Sequence, residues 1–151
     1  MIASLSPLAA QLAARAEAGR PVTVGLAGCG QMGTDLVVQL SRMQGLRLGA
    51  IAEIDMAAAE AALALSGRKR GDWAPAENST AIANAIARGQ VALTADLAAM
   101  TEAGPIDVVI DATGNPNTGT LLARSAIANG KHVVMLNVEA DITIEIGRAH
   151  V

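Results

Sequence analysis

Apolar and polar positions alternate along this chain with a period that changes repeatedly, and each change marks the border of an element. Over residues 4–18, Leu5, Leu8 and Leu12 recur at helical spacing among polar neighbours such as Arg15 and Glu17, predicting an amphipathic helix that Gly19 and Pro21 terminate. Val22, Val24 and Leu26 open a β-branched run. Beyond a cluster of glycines Met32, Leu36, Val37, Leu40 and Met43 return to helical spacing, which gives this second helix one face for a sheet before Gly45 closes it. Residues 46–52 read as the next strand, and Asp55 stands where its side chain can cap a helix beginning at Met56. From 66 to 78 the periodicity lapses into a polar loop rich in turn formers, in which Trp73 is expected to pack locally. Asn78, Ser79 and Thr80 then start a short helix ended by Gly89, residues 91–93 form a brief strand, and Thr94 is placed to cap a helix that Gly104 and Pro105 stop. Residues 106–110 are almost all β-branched, as in a strand buried on both faces. Asn115 and Pro116 supply the cap and first position of a helix running to about residue 129, and a last strand covers 132–136.

Strands alternating with helical crossovers predict an α/β fold: a Rossmann-type, doubly wound parallel sheet preceded by a leading amphipathic helix. In such a sheet a ligand sits outside the carboxyl ends of the strands, where the strand order reverses. That edge collects Gly28 to Gly33, Glu53, Thr113, Gly114, Asn115 and the segment from Asn137 to Asp141, all from distant parts of the chain.

The chemistry at that edge is set by Gly28-Cys29-Gly30-Gln31-Met32-Gly33, which holds the G-x-G-x-x-G spacing between a strand and a helix. The first glycine makes the turn, the second lets backbone approach a pyrophosphate, and the third lets helix pack on strand. The free N–H groups of the helix start at Gln31 and Met32 then face the phosphates, helped by the helix dipole. Glu53 ends the next strand about 20 residues past the last glycine, where such a fold places its ribose ligand. The competing acid, Asp55, is assigned to capping. Cys29 needs only a small side chain between its glycines and receives no redox or nucleophilic role. His132 opens a strand and reads as structural, and Asp111 either orders the Thr113 turn or is a solvated strand-end acid.

Composition narrows the class. The chain has 151 residues, 52% of them hydrophobic and 17% charged, enough apolar content for one domain with a sizeable core. Aromatic residues make up 1% and the net charge is −3, so neither base stacking nor a basic stripe points to nucleic acid. Cys29 has no intramolecular disulfide partner and no Cys/His spacing resembles a metal site, which with the absence of a signal-peptide pattern leads us to expect a cytoplasmic protein. No apolar run approaches the ~20 residues of a membrane span. The apolar face of the leading helix asks for a cover, either the sheet domain or a partner, and a homo-oligomer stays open.

The glycine block, the stretch Ile106-Asp107-Val108-Val109-Ile110-Asp111-Ala112-Thr113-Gly114-Asn115-Pro116 and the block Gly130 to Asp141 together resemble the amino-terminal half of homoserine-dehydrogenase-like oxidoreductases. Asn137-Val138-Glu139-Ala140-Asp141 is most similar to the deoxyxylulose-phosphate reductoisomerase-like branch, because homoserine dehydrogenases normally follow that Asn with Lys. The resemblance covers most of residues 19–143. It implies an NADP-dependent enzyme acting on a small carbonyl or hydroxy substrate held by a carboxyl-terminal substrate domain. NAD is the alternative coenzyme, since Glu53 suits two free ribose hydroxyls, whereas Arg68, Lys69 and Arg70 either form a solvated basic turn, the favoured reading, or reach a 2′-phosphate. A homoserine dehydrogenase-type enzyme and a non-catalytic nucleotide-sensing domain are the alternative functions. Residues 1–20 are expected to form the leading helix and 21–145 the NAD(P)-binding domain. Ile146-Gly147-Arg148-Ala149-His150-Val151 resembles the in-frame translation of a sequencing adapter, so 146–151 are expected to be non-native and the chain truncated.

Overall fold

In the computed structural model, which describes residues 6–137, one parallel sheet carries six strands. In chain order they are β1 (Val22–Ala27), β2 (Leu46–Ala52), β3 (Trp73–Pro75), β4 (Val91–Thr94), β5 (Val108–Asp111) and β6 (His132–Met135). Helix α1 (Pro7–Glu17) precedes the sheet, and α2 (Gln31–Leu40), α3 (Met56–Leu65), α4 (Ser79–Ala87), α5 (Leu97–Glu102) and α6 (Pro116–Ala128) connect its strands. Across the sheet the order is β3-β4-β2-β1-β5-β6: from β1 the chain steps to β2, skips one place to form the edge strand β3, returns with β4 to fill the gap, and then crosses β1 to add β5 and β6 on the other side. The reversal falls between β1 and β5. Glu139, Asp141 and the segment 146–151 lie outside the described residues.

Each face of the sheet holds its own apolar layer. Leu26 and Ile51 share one layer with Val37 of α2 and Leu63 of α3, while Ile106 and Val109 share the other with Ile82 of α4, Met100 of α5 and Leu122 of α6. With no Phe or Tyr available, the contact surfaces of the helices are small: Ala59, Ala62, Ala85 and Ala126 are all buried. Close packing of such residues preserves interior density without large rings. Each fully buried Leu or Ile still contributes about 1.5–3 kcal/mol relative to exposure.

Helix starts follow side-chain chemistry. Asp55 accepts from the N–H groups of Ala57 and Ala58, Asn78 from that of Ala81, and Asn115 from those of Asn117 and Thr118 with Pro116 in the first turn. Thr94 does not cap α5. It is the last residue of β4, its hydroxyl accepts the Asp96 N–H, and Asp96 caps the helix by accepting from Ala98 and Ala99. The polar stretch 66–78 is not all loop, because Trp73–Pro75 pairs with Val91 to Leu93 as an edge strand. Pro75 is tolerated there, where one side of the strand has no ladder to complete. Trp73 lies half-buried against the α3 layer, and its indole N–H donates to Glu60 at 3.4 Å.

Two further expectations change. On α2 the sheet-facing positions are Gly33, Val37 and Leu40, whereas Met32 and Met43 are exposed. The strand read over 106–110 starts later, at Val108, because the Asp107 carboxylate turns back to accept the Thr23 N–H at 2.8 Å. Helix α1 has no buried residue, yet its Leu12 backbone lies so close to Gly45 that a Cβ there would collide with it.

Candidate functional site

At the carboxyl ends of β1, β2, β4 and β5 a crevice of about 400 Å³ opens, lined among others by Gly28, Gly30, Glu53, Ile54, Thr113 and Asn115. Its centre is the β1–α2 turn, where three glycines have three different reasons to be glycine. Gly28 has φ +92, and a Cβ there would stand 2.8 Å from the Ala112 carbonyl oxygen. Gly33 is buried in the first turn of α2, and a Cβ on it would collide with the Gly28 carbonyl. Gly30, by contrast, has φ −67, and a Cβ there would meet nothing within 4 Å. As the N-cap residue it also carries no side chain over the first N–H groups of α2, which have no intrahelical partner. Gln31 and Met32 are exposed in that first turn. The result is a set of backbone donors at the positive end of a helix, facing open space.

Glu53 forms the neighbouring wall. Its backbone N–H donates to the Thr94 carbonyl at 2.9 Å, which fixes the strand end. One carboxylate oxygen accepts the Cys29 N–H at 2.6 Å and the other accepts the Asp55 N–H at 3.0 Å, so the side chain ties the glycine turn to the β2–α3 turn. A carboxylate has about four acceptor sites, so this one keeps capacity for further donors. Burial, and next the charge of Glu53, push the Cys29 thiol up to about 12. The thiol therefore stays protonated and is no nucleophile at neutral pH.

The opposite wall is the turn after β5. Asp111 is fully buried, and one of its oxygens accepts from the Thr113 N–H at 3.0 Å and the Thr113 hydroxyl at 2.7 Å. Of the two readings of Asp111, the ordering of this turn is the one observed. Gly114 follows with φ +65, and Asn115 caps α6. Asn137 is buried just past β6 and donates its side-chain amide to the Asn115 carbonyl at 2.8 Å, so it supports the turn from behind.

Ile54, Ala95, Leu97 and Thr118 also line the crevice and were missed in the sequence. Ala95 and Leu97 follow a strand end as Glu53 does, so the same edge rule finds them; for Ile54 the signal is its place directly after Glu53, and the structure leaves it 90% exposed there.

Arg68, Lys69 and Arg70 are elsewhere. Helix α3 carries the chain away from the crevice for 10 residues, about 15 Å, before Arg68 is reached. The Asp72 carbonyl then accepts the Val91 N–H at 2.9 Å, at the amino end of β4. The basic stretch thus stands at the amino edge of the sheet, away from the crevice, and of its two readings the reach to a ribose 2′-phosphate is the one this placement disfavours. Among the described residues no cluster of His, Cys, Asp and Glu could hold a metal ion, and no helix is long and apolar enough to cross a membrane.

Solved structures with the same fold include a scyllo-inositol dehydrogenase from Lactobacillus casei with bound NAD(H) and scyllo-inositol, 18% identical over 82% of this chain and 32% of that one, with TM-score 0.57. A myo-inositol dehydrogenase from Lactobacillus casei in complex with NAD(H) and myo-inositol is 18% identical, over 82% of this chain and 34% of that one, with TM-score 0.57. A biliverdin reductase from Synechocystis in complex with biliverdin and NADP+ is 22% identical, over 76% of this chain and 29% of that one, with TM-score 0.53. The chain spans about a third of the length of these proteins. No curated protein matches its sequence. The family described as homoserine dehydrogenase, NAD binding domain, matches residues 28–143, which takes in the glycine turn, Glu53, the Thr113 turn and Asn137. By that match, and with the crevice it encloses, the chain belongs to the family of homoserine dehydrogenase NAD-binding domains.

Proposed function

We infer that the chain is the coenzyme-binding part of a nicotinamide-dependent oxidoreductase. The pyrophosphate lies on Gly30 and the N–H groups of Gln31 and Met32, the adenosine ribose on Glu53, and the nicotinamide half against Thr113, Gly114 and Asn115. Gly30 carries this reading: its φ suits any residue and space is open around it, so nothing in the protein itself asks for glycine there, whereas a phosphate lying on the backbone does. The bound nicotinamide supplies hydride exchange with a carbonyl or hydroxyl carbon, and the protein supplies position and electrostatics.

The preferred coenzyme in this reading is NAD. Glu53 suits two free hydroxyls and repels a 2′-phosphate, and among the described residues no Arg or Lys lines the crevice. This departs from the NADP that the family resemblance implies, and the reason is the position of Arg68 to Arg70. The substrate is a small carbonyl or hydroxy compound held by another part of the complete protein. The block 137–141 supports a reductoisomerase-like substrate; the family match over 28–143 supports a homoserine-type one as the second reading.

Calorimetric titration of NAD into wild type and Gly30→Val tests the site. We expect at least a hundredfold loss of affinity, about 2.8 kcal/mol, with an unchanged far-ultraviolet spectrum. Equal affinities in two folded proteins would remove the reading.

A further inference from the structure

Because every strand pairing is parallel, all the helix-to-strand connections gather at the amino edge of the sheet, opposite the crevice. Every Arg and Lys among the described residues except Arg124 stands there, in the last turn of a helix, in the connection after it or at a strand start. The acids on the same edge are Glu17, Asp72, Glu102 and Asp107, whereas those at the carboxyl edge have no cation beside them among the described residues. Arg15, Arg20, Arg42, Lys69 and Arg70 are all exposed. The helices aim their negative carbonyl ends at this edge, which accounts for cations there. It does not account for the large apolar side chains set among them. Leu65, the last residue of α3, is 69% exposed just before Arg68; Met43 is exposed directly after Arg42; and Ile127 is exposed in the last turn of α6 ahead of Lys131. Leu8 is 66% exposed on α1, a helix that buries no residue and whose Leu12 backbone lies against Gly45 on this edge.

We propose that the amino edge is a docking face for an anionic lipid bilayer. The cations lie among the headgroups, Leu8, Met43 and Leu65 enter the boundary with the acyl chains, and the crevice faces away into water. The attachment is peripheral, since no helix among the described residues is long and apolar enough to cross. The apolar side chains favour a bilayer over other polyanions. A nucleic acid backbone has no use for protruding Leu and Met, and the edge offers no exposed aromatic ring on which bases could stack. A folded partner needs one complementary surface, whereas apolar tips from separate connections suit a fluid surface that shapes itself around them. The charge here also sits on exposed side chains and not on fixed backbone N–H groups, which suits a diffuse anionic surface and leaves a discrete pyrophosphate to the start of α2. Each Arg or Lys held near such a surface raises affinity about fivefold. This inference does not depend on the coenzyme reading.

The test is co-sedimentation of the full chain with vesicles of phosphatidylcholine alone and of phosphatidylcholine with about one-third phosphatidylglycerol. Two variants accompany it, one neutralised (Arg42→Gln, Lys69→Gln, Arg70→Gln) and one made polar (Met43→Gln, Leu65→Gln), all at exposed positions and each checked for an unchanged far-ultraviolet spectrum. We expect wild type to partition onto the anionic vesicles only, and to leave them as ionic strength rises from about 0.05 M to about 0.5 M. The neutralised variant should lose at least about tenfold in partition coefficient, and the polar variant at least about fivefold with its salt dependence kept. Equal binding to both kinds of vesicle, or binding to neither, overturns the proposal. A polar variant that binds anionic vesicles as tightly as wild type also overturns it, and titration with polyuridylic acid and with polyglutamate then identifies which other polyanion the edge takes.

Discussion

At the amino edge of the sheet Lys131 commits its ammonium to the carbonyls of Ala103 and Ile106 at 2.9 and 2.8 Å, and Asp107 accepts the Thr23 N–H at 2.8 Å. At the carboxyl edge the acids Glu53 and Asp111 also bind backbone, but the glycine turn that Glu53 holds runs into the start of α2, whose first N–H groups have no side-chain cap. The amino edge carries the basic residues Arg68, Lys69, Arg70 and Lys131, and by charge alone it would look like the phosphate site. The carboxyl edge has an acid and glycines in its lining and, among the described residues, no cation. What separates a binding edge from a closing one is therefore unclaimed backbone N–H at a helix start, and not the sign of the side chains around it.

The two edges can be pulled apart by substitutions. The largest effect is expected at Gly33, where a Cβ would strike the Gly28 carbonyl: Gly33→Ala must displace α2 and should cost about 3 kcal/mol of stability by denaturant unfolding. Gly30→Ala in the same assay should cost less than ~1 kcal/mol, because its Cβ enters open space. Equal losses would erase the distinction between a glycine needed for the fold and one needed for a ligand.

A smaller loss is expected behind the opposite wall. Asn137→Ala removes the buried amide that holds the Asn115 carbonyl and should destabilise the domain by about 2 kcal/mol. Its effect on binding should also be selective, with NAD affinity falling while ADP affinity is retained, since only the nicotinamide half rests on the Thr113 turn. A parallel loss of both ligands would show that Asn137 supports the whole crevice.

Smaller still is the change at Glu53. Glu53→Gln keeps an acceptor for the Cys29 N–H but removes the charge, so NAD affinity should fall about tenfold, or 1.4 kcal/mol, while NADP affinity rises. An unaltered ratio of the two dissociation constants would mean that Glu53 does not face the ribose.

Much of this was legible in the sequence because it is local. The caps at Asp55, Asn78 and Asn115 follow from one side chain and the two or three N–H groups after it. The glycine turn is a contiguous spacing, and the order of strands and helices follows from changes of period. What the sequence hid is long-range. Strand β3 has three residues and exists only because β4, sixteen or more residues later, offers it a ladder. The displacement of Arg68 to Arg70 to the far edge needs the direction of α3, and the tie from Glu53 to Cys29 spans 24 positions. Thr94 and Asp96 are both good caps by type, and only the length of β4 decides between them.

The central claim is that the dinucleotide lies along the carboxyl edge, and amide chemical-shift mapping of the isotopically labelled chain during an NAD titration tests it most directly. The account predicts saturable shifts at Cys29 to Gly33, Glu53, Ala95 and Thr113 to Asn115, with Arg68 to Asp72 and Lys131 unmoved. Shifts centred on the amino edge, or none at the glycine turn at saturating NAD, would contradict it.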